Sequence, residues 1–141
     1  MKVKIKKTHK EAVIPKYGSA GAAGLDFTAV SKEETPLYIE YGLGVSLEIP
    51  EGHAGFLFPR SSVSKYHLSL ANCVGVIDAD FRGEVKARFK KTLDMPHANV
   101  YNIGDKVAQL IIMPVPKIEF EEVEDLDNTE RGAGGFGSTG V

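Results

Sequence analysis

The residues best suited to chemistry lie in one segment, GVIDADFRGEV at 75–85. An apolar run places Asp78 at its end, and a carboxylate held there is suited to act as a general base, worth about 10²–10⁴-fold in rate. Asp and Gly are also ordinary turn residues, so a simple turn is the alternative for Asp78 and the preferred interpretation for Asp80. Phe81 either packs into the core or stacks on a flat ligand.

A second candidate group is Pro59-Arg60-Ser61-Ser62, which directly follows a predicted strand. The guanidinium of Arg60 presents a fork of donors that suits phosphate oxygens, and the serine hydroxyls add further donors. The alternative is a salt-bridged arginine followed by a serine that caps a short helix. On their own, these four residues leave both interpretations open.

The C-terminal segment RGAGGFGSTG at 131–140 combines a flexible backbone with charge and hydroxyl groups. Its glycines allow successive backbone N–H groups to converge on an anion, and Arg131, Ser138 and Thr139 add side-chain donors. The pattern G-x-G-x-x-G occurs here, but a dinucleotide-binding loop needs a following helix, and none is predicted. A disordered tail is the alternative. Phe136 argues against it, because an isolated ring among glycines is expected to dock on a partner such as a nucleobase.

The composition is that of one domain. The chain has 141 residues, of which 43% are hydrophobic and 26% charged, as in a soluble globular protein. No apolar run approaches the ~20 residues of a membrane helix, and the basic N-terminus has no secretory core. The single cysteine, Cys73, excludes an intrachain disulfide and indicates a reducing compartment. We therefore expect a cytoplasmic location, or the interior of a host cell if the chain is viral, and no membrane partner.

Charge is unevenly distributed along the chain. The net charge is −2, but residues 119–130 hold seven acids and no Lys or Arg, so the rest of the chain carries about +5. A net charge near zero gives no reason to expect a nucleic-acid polymer as partner. It does not argue for or against a small anionic ligand. The four histidines have no ligand spacing, so structural zinc is not expected.

Short strands separated by turn residues dominate the pattern, and no long window has helical periodicity. Alternation or apolar runs predict strands near residues 3–5, 25–29, 37–41, 45–49, 54–58, 107–115 and 118–123. Residues 61–67 are the best place for a brief helical turn. Residues 68–77, including Cys73, and residues 84–89 are predicted to form a hairpin with its turn at 79–83. The predicted class is all-β, as a sandwich, jelly roll or barrel.

Taken in order, five segments resemble the five motifs of the trimeric dUTPase family. They are GSAGAAGLDF (18–27), PRSS (59–62), GVIDADFRGE (75–84), GDKVAQLI (104–111) and RGAGGFGSTG (131–140). Each is modest evidence alone, but together they cover nearly the whole chain in order and spacing. The resemblance implies a jelly-roll-like β-barrel or sandwich with at most one short helix. It divides the chain into a β domain (1–130) and a mobile phosphate-binding arm (131–141).

The resemblance also implies an activity, the hydrolysis of dUTP to dUMP and pyrophosphate with Mg²⁺. It implies a homotrimer whose three active sites are shared between subunits. Asp78 matches the aspartate that activates the attacking water. Gln109 and Asp26 match residues that orient catalytic or metal-bound waters, with Asp26 reaching the metal only through water.

Substrate contacts follow from the same resemblance. The residues that match phosphate contacts are Arg60, Ser61, Ser62, Arg131, Gly137, Ser138 and Thr139. Those that match the uracil slot are Asn72, Val76, Ile77 and Lys86, with Phe136 as a cap over the base. Phe81 stands where many members have Tyr, under the deoxyribose. Because the ring is retained and only the hydroxyl is lost, we expect discrimination against a 2′-hydroxyl to survive.

Two other functions stay open at this point. The dCTP deaminases share the fold and similar Arg-Ser-Ser and Ile-Asp segments, but they need a proton-shuttling glutamate on the strand after the hairpin, where this chain has Arg88. They also lack a tail like GGFGSTG. The other alternative is a dUTPase-like protein whose main role is to bind a regulatory partner, although the sequence has no extra domain or long insertion that would indicate one.

Overall fold

The computed structural model describes residues 1–94 and 96–140. Within them the chain forms eleven strands and one 3₁₀ turn (Ser61–Lys65). The strands are β1 (Lys4–Lys7), β2 (Lys16–Tyr17), β3 (Leu25–Thr28), β4 (Ser31–Glu34), β5 (Ile39–Gly42), β6 (Val45–Glu48), β7 (His53–Pro59), β8 (Leu68–Leu70), β9 (Gly75–Ile77), β10 (Lys86–Lys91) and β11 (Lys106–Pro114). The predicted all-β class and the single short helical turn are confirmed.

The strands form three antiparallel sheets in the described part of the chain. Their orders are β1-β6, β4-β5-β10-β8 and β2-β3-β11-β7-β9, so strands distant in sequence become neighbours. This arrangement is a jelly-roll-like sandwich, and none of the described sheets closes into a barrel. The longest ladder joins β11 to β7 over seven residue pairs, from Ala108↔Pro59 to Pro114↔His53.

The core lies between the sheets because their strands alternate buried and exposed side chains. In β10, Ala87 and Phe89 are buried while Lys86 and Arg88 face outward. The rings of Phe89, Tyr41 and Tyr101 meet edge to face, with centroids 5.6–5.9 Å apart. Such pairs add about 0.5–1.5 kcal/mol each beyond the area that they bury. The outward face of β10 is therefore fixed to a rigid core.

The predicted hairpin is correct in pairing residues 68–70 with β10 and wrong in the pairing of residues 75–77. Residues 68–77 form two strands in different sheets, because β8 pairs with β10 whereas β9 pairs with β7. A tight turn separates them, with Cys73 at a φ of 61° and the Val74 N–H donating to the Asn72 carbonyl at 2.6 Å. Cys73 is therefore exposed in a turn, and its predicted place in an apolar strand is also wrong. The segment 78–85 crosses from one sheet to the other.

The predicted strand at 118–123 is absent. The segment forms no ladder, and Ile118 and Phe120 are 73% and 92% exposed. Its alternating pattern has no neighbouring strand to pair with within one copy of the chain. Strand β4 was not predicted, because its sequence SKEE has no apolar residue, but it pairs with β5. Among the described residues, no helix is long and apolar enough to span a membrane.

Candidate functional site

A cavity of about 500 Å³ opens where the segment 78–85 crosses between the two larger sheets. Its walls come from β5, β8, β9, β10 and the crossing segment. Six of the residues predicted from the sequence line it, namely Asn72, Val76, Ile77, Asp78, Phe81 and Lys86. The volume lies within the ordinary range for small-molecule sites, about 300–1,000 Å³. The structure therefore brings the expected base and sugar contacts together around Asp78.

The pairing of β9 with β7 sets the position of Asp78. Ile77 lies opposite Gly55, and Asp78 follows at once with an exposed carboxylate. Gly55 is needed for this close approach, because a Cβ there would lie 2.9 Å from Cδ1 of Ile49 and 3.3 Å from Cβ of Ile77. The carboxylate thus sits at the end of a strand held on a rigid sheet.

Backbone contacts fix the shape of the crossing segment. The Phe81 N–H donates to the carbonyl of Asp78 at 3.2 Å, and Nη1 of Arg82 donates to the carbonyls of Ala79 and Phe81 at 2.6 and 3.0 Å. The Phe81 ring lies against Gly83, where an added Cβ would be 2.5 Å from Cζ. The ring, 43% exposed, is held at the cavity wall by the shape of the turn.

One wall of the cavity contains a carboxylate that sequence reasoning missed. Glu40 of β5 accepts hydrogen bonds from Nζ of Lys86 at 2.8 Å and from Nε of Arg88 at 2.7 Å. The hydrogen bond from Lys86 is the largest influence on the pKa of Glu40 and lowers it. Burial raises the pKa, but Arg88 and both positive charges add to the lowering, so the pKa is lowered overall. The available signal was a lone acid inside the apolar run LYIEY, together with alternating bases in the later segment KAR.

A second group of predicted residues meets where β3, β7 and β11 run side by side. Nε of Arg60 donates to Oδ1 of Asp26 at 2.9 Å, and its Nη1 donates to Oγ of Ser62 at 3.3 Å. Lys106, which was not singled out from the sequence, donates to Oδ2 of Asp26 at 2.9 Å. Burial raises the pKa of Asp26, but Lys106 and Arg60 outweigh this effect and lower it overall.

Gln109 belongs to this second group. It lies directly opposite Asp26 in the β3–β11 ladder, and its Nε2 donates to the carbonyl of Pro59 at 3.1 Å. Gly24 leaves room for its amide, because a Cβ there would lie 2.6 Å from Oε1 of Gln109. Ser61 begins the 3₁₀ turn beside this group and is exposed. The cluster offers positive charge, hydroxyls and a fixed amide, which suits phosphate oxygens and ordered water.

The two groups lie far apart in one copy of the chain. Asp78 follows Ile77, which pairs with Gly55, whereas Arg60 follows the other end of β7 at Pro59. Six residues along β7 separate the positions of Asp78 and Arg60, which corresponds to a distance of about 20 Å. One copy therefore does not place both groups on the same phosphate.

The C-terminal arm reaches neither group. Its described hydrogen bonds stay within residues 129–140, as in the Nε of Arg131 donating to the Gly134 carbonyl at 2.8 Å. Phe136 is fully exposed, at a φ of 49°. Gly137, Ser138 and Thr139 are likewise exposed, and Val141 lies outside the described residues. The predicted contacts of the arm are thus not made within one copy.

Protein ligands alone do not build a metal site in residues 1–94 and 96–140. No three His, Cys, Asp or Glu side chains there lie close enough to hold an ion. Asp26, the predicted metal-linked residue, has an ammonium and a guanidinium on its two oxygens. Each oxygen keeps a further lone pair, so the carboxylate fits contact with metal-bound water and not direct ligation.

Both clusters lie in a chain that is similar in sequence to known proteins. The sequence profile of the dUTPase family matches residues 10–140. The chain belongs to the dUTPase family. The chain is 41% identical over 149 residues to deoxyuridine 5′-triphosphate nucleotidohydrolase of Desulfitobacterium hafniense, an alignment that covers 100% of this chain and 97% of the relative. All five segments that resemble family motifs lie within the matched range.

Solved structures share the fold of this dUTPase. A mutant of the Staphylococcus bacteriophage 80alpha dUTPase with dUpNHpp superposes with a TM-score of 0.84 at 26% identity, covering 99% of each chain. A mutant dUTPase from phage phi11 of Staphylococcus aureus superposes with a TM-score of 0.75 at 25% identity, covering 89% of this chain and 98% of the other. The latter structure is described with a coordinated structural Mg(II) ion.

Proposed function

We propose that this chain hydrolyses dUTP to dUMP and pyrophosphate. The observation that carries the proposal is the cavity that gathers Asn72, Val76, Ile77 and Lys86 around Asp78, in a chain that belongs to the dUTPase family. The phage relative that carries dUpNHpp supports a deoxyuridine nucleotide as the ligand. We further propose that the enzyme acts in the cytoplasm, where its one exposed cysteine would stay reduced.

Asp78 serves as the general base in this proposal. Its exposed carboxylate accepts a proton from a water molecule, and the water oxygen attacks the α-phosphorus. A new P–O bond forms, and the bond from the α-phosphorus to the α,β-bridging oxygen breaks, so pyrophosphate leaves with its electron pair. The backbone of Val76 and Ile77 holds the base, and the ring of Phe81 lies under the deoxyribose and excludes a 2′-hydroxyl.

The phosphate groups are bound by the second cluster of a neighbouring copy. Arg60 and Ser62 supply cationic and hydroxyl donors that offset the charge that grows on pyrophosphate, Ser61 adds a further hydroxyl, and Gln109 orients water. The separation of about 20 Å between Arg60 and Asp78 in one copy supports sites shared between subunits, as in a homotrimer.

A magnesium ion fits this arrangement as part of the substrate complex. Bound to triphosphate oxygens and waters, Mg²⁺ would supply charge neutralisation at the phosphates. Asp26 would accept hydrogen bonds from its waters. The phage phi11 relative, described with a structural Mg(II) ion, supports the use of this metal in the fold.

The C-terminal arm closes over the bound nucleotide. Arg131 contacts the γ-phosphate, Phe136 caps the uracil, and the backbone of Gly137 with Ser138 and Thr139 surrounds the terminal phosphate. The full exposure of Phe136 in the single copy supports this role, because a solvent-exposed ring gains free energy on stacking with a base. Closure would exclude every water except the nucleophile.

A nucleotide panel tests the proposed function. Pyrophosphate release is measured with dUTP, dTTP, UTP and dCTP, each with and without Mg²⁺. We expect rapid release from dUTP with Mg²⁺, and at least about 10²-fold less from the other three. Conversion of dCTP to uracil nucleotides would instead indicate a deaminase, and no release from any nucleotide would favour a binding protein.

A further inference from the structure

One buried polar group beside the second cluster has no part in the proposed mechanism. Tyr101 is 1% exposed, and its ring packs among those of Tyr41, Phe89 and Tyr66. Its hydroxyl is buried and has no hydrogen-bond partner among the described residues. An unpaired buried hydroxyl costs free energy, and a phenylalanine would fill the same space without that cost. Packing alone therefore does not account for a tyrosine at this position.

The position of Tyr101 is fixed at both its backbone and its ring. Its carbonyl accepts a hydrogen bond from the Tyr41 hydroxyl at 2.9 Å. The next residue, Asn102, donates its N–H to Oδ2 of Asp105 at 2.7 Å. The ring centroid of Tyr66, which directly follows the 3₁₀ turn, lies 4.0 Å from that of Tyr101. Tyr101 therefore holds its hydroxyl at a fixed point beside this turn.

The hydroxyl of Ser62, in the same 3₁₀ turn, lies close enough to that of Tyr101 to affect its ionisation. Burial is the largest influence on the pKa of Tyr101 and raises it, whereas Ser62 and the positive charge of Arg60 lower it, and the pKa is raised overall. Ser62 also accepts a hydrogen bond from Nη1 of Arg60 at 3.3 Å, which is longer than the usual distance of about 2.9–3.0 Å. Ser62 thus has a buried phenol and a guanidinium as neighbours.

A serine hydroxyl can donate one hydrogen bond and accept two. If Arg60 and Tyr101 both donate to Oγ of Ser62, both lone pairs are occupied and only the O–H is left for a ligand. The ligand atom that meets Ser62 must then be an acceptor, such as a phosphate oxygen.

We propose that Tyr101 is a positioning residue that donates to Oγ of Ser62 when a nucleotide binds, and thereby directs the Ser62 O–H to a β- or γ-phosphate oxygen. The phenol supplies the second donor, and the ring cluster in the core keeps it in place. The proposal rests on the proposed function only in taking Ser62 as a phosphate contact.

Tyr101→Phe tests the proposal, because it keeps the ring and removes only the hydroxyl. Calorimetry measures the binding of dUpNHpp and of dUMP to the full chain with Mg²⁺. We expect dUpNHpp to bind about three- to tenfold more weakly, since the phosphate contact loses one supporting hydrogen bond. Binding of dUMP, which has no β- or γ-phosphate, should be unchanged. The unfolding temperature should not fall, because the hydroxyl that is removed has no partner.

A double-mutant cycle with Ser62→Ala separates positioning from a purely structural role. In the Ser62→Ala chain, Tyr101→Phe should cause no further loss of dUpNHpp affinity, because the phenol acts only through Ser62. Tyr101→Met, which removes the hydroxyl with a flexible apolar side chain, takes the place of Tyr101→Phe if that variant does not fold.

Tyr41→Phe is the matched control. It removes a buried hydroxyl from the same ring cluster, but one that donates to a backbone carbonyl and not to the second cluster. This variant should unfold at a lower temperature, because the carbonyl loses its partner, and should keep the wild-type affinity for dUpNHpp.

Unchanged dUpNHpp affinity in the folded Tyr101 variant would overturn the proposal. An equal loss of dUMP affinity, an equal further loss in the Ser62→Ala chain or an equal loss in Tyr41→Phe would also overturn it. Failure of the proposed function looks different. In that case the wild-type chain would not release pyrophosphate from dUTP, or would not bind dUpNHpp more tightly than dUMP, before any variant is compared.

Discussion

Arg60 and Asp78 stand at opposite ends of strand β7, about 20 Å apart along the sheet. The first is bonded to Asp26 and the second borders the cavity of Lys86 and Phe81. Hydrolysis at an α-phosphorus needs a base on one side of that atom and positive charge at the leaving phosphates. The distance supports the proposal that different copies of the chain supply the two residues to one substrate.

Mixing two inactive variants tests the shared site. Arg60→Ala and Asp78→Asn copies, unfolded and refolded together in equal amounts, should form about one intact site in four, because each site draws the two residues from different copies. Each variant refolded alone should be inactive. The dUTPase rate of the mixture is the measurement, and a mixture no faster than its parents would show that one copy supplies both groups.

Asp78→Asn should separate binding from chemistry. The amide keeps the shape of the exposed side chain but cannot take a proton, so kcat should fall by about 10²–10⁴-fold. Binding of dUpNHpp, measured by calorimetry, should stay close to that of the wild type. Asp80→Asn in the same turn is the control and should retain most activity. A variant that loses binding but turns over whatever it binds would refute the assigned role.

Removal of the arm should leave a folded enzyme with little activity. A chain ending at Glu130 keeps every described strand, and the described hydrogen bonds of the arm to residues 1–130 go only to Thr129, which lies outside the strands. Thermal unfolding should therefore be unchanged, whereas kcat/KM for dUTP should fall by about 10²-fold or more, because phosphate contacts and the aromatic cap are lost. Full activity after truncation would show that the arm has no part in catalysis.

The free energy of unfolding should fall in acid because two carboxylates, those of Asp26 and Glu40, become protonated. The pKa values of Asp26 and Glu40 in the folded protein lie below their ordinary values of 3.8 and 4.5. The unfolded chain therefore binds protons first, and the stabilisation is complete above the ordinary values and declines as pH falls below them. Between about pH 5 and pH 3, the free energy of unfolding measured with urea should fall less for Asp26→Asn than for the wild type. Glu11→Gln, at an exposed carboxyl outside both ion pairs, is the matched control.

Much of the fold was predictable because local sequence decides it. Alternation in VSLE and the apolar run of β11 specify strands whatever their partners, and turn residues mark their ends. Partner choice was not predictable for residues 75–77, because a turn with one left-handed residue moves β9 to another sheet. The segment 118–123 has a strand pattern that needs a neighbouring strand, which a single copy does not provide.

The candidate site was likewise predictable from the sequence only in part. Motif order predicted the residues around Asp78 and around Arg60, and the structure gathers each set. Their distance from each other depends on strand register, which no short motif records. Glu40 and Lys106 were missed because each acts through a partner more than 40 residues away in sequence.

The turn at Cys73 offers a single position for a fluorescent label that reports nucleotide binding. The chain has one thiol, which is exposed and lies next to Asn72 at the cavity wall. A maleimide fluorophore would attach there without any engineered cysteine or removal of others. Its emission would then follow arrival and departure of the nucleotide in real time, as stopped-flow mixing resolves them.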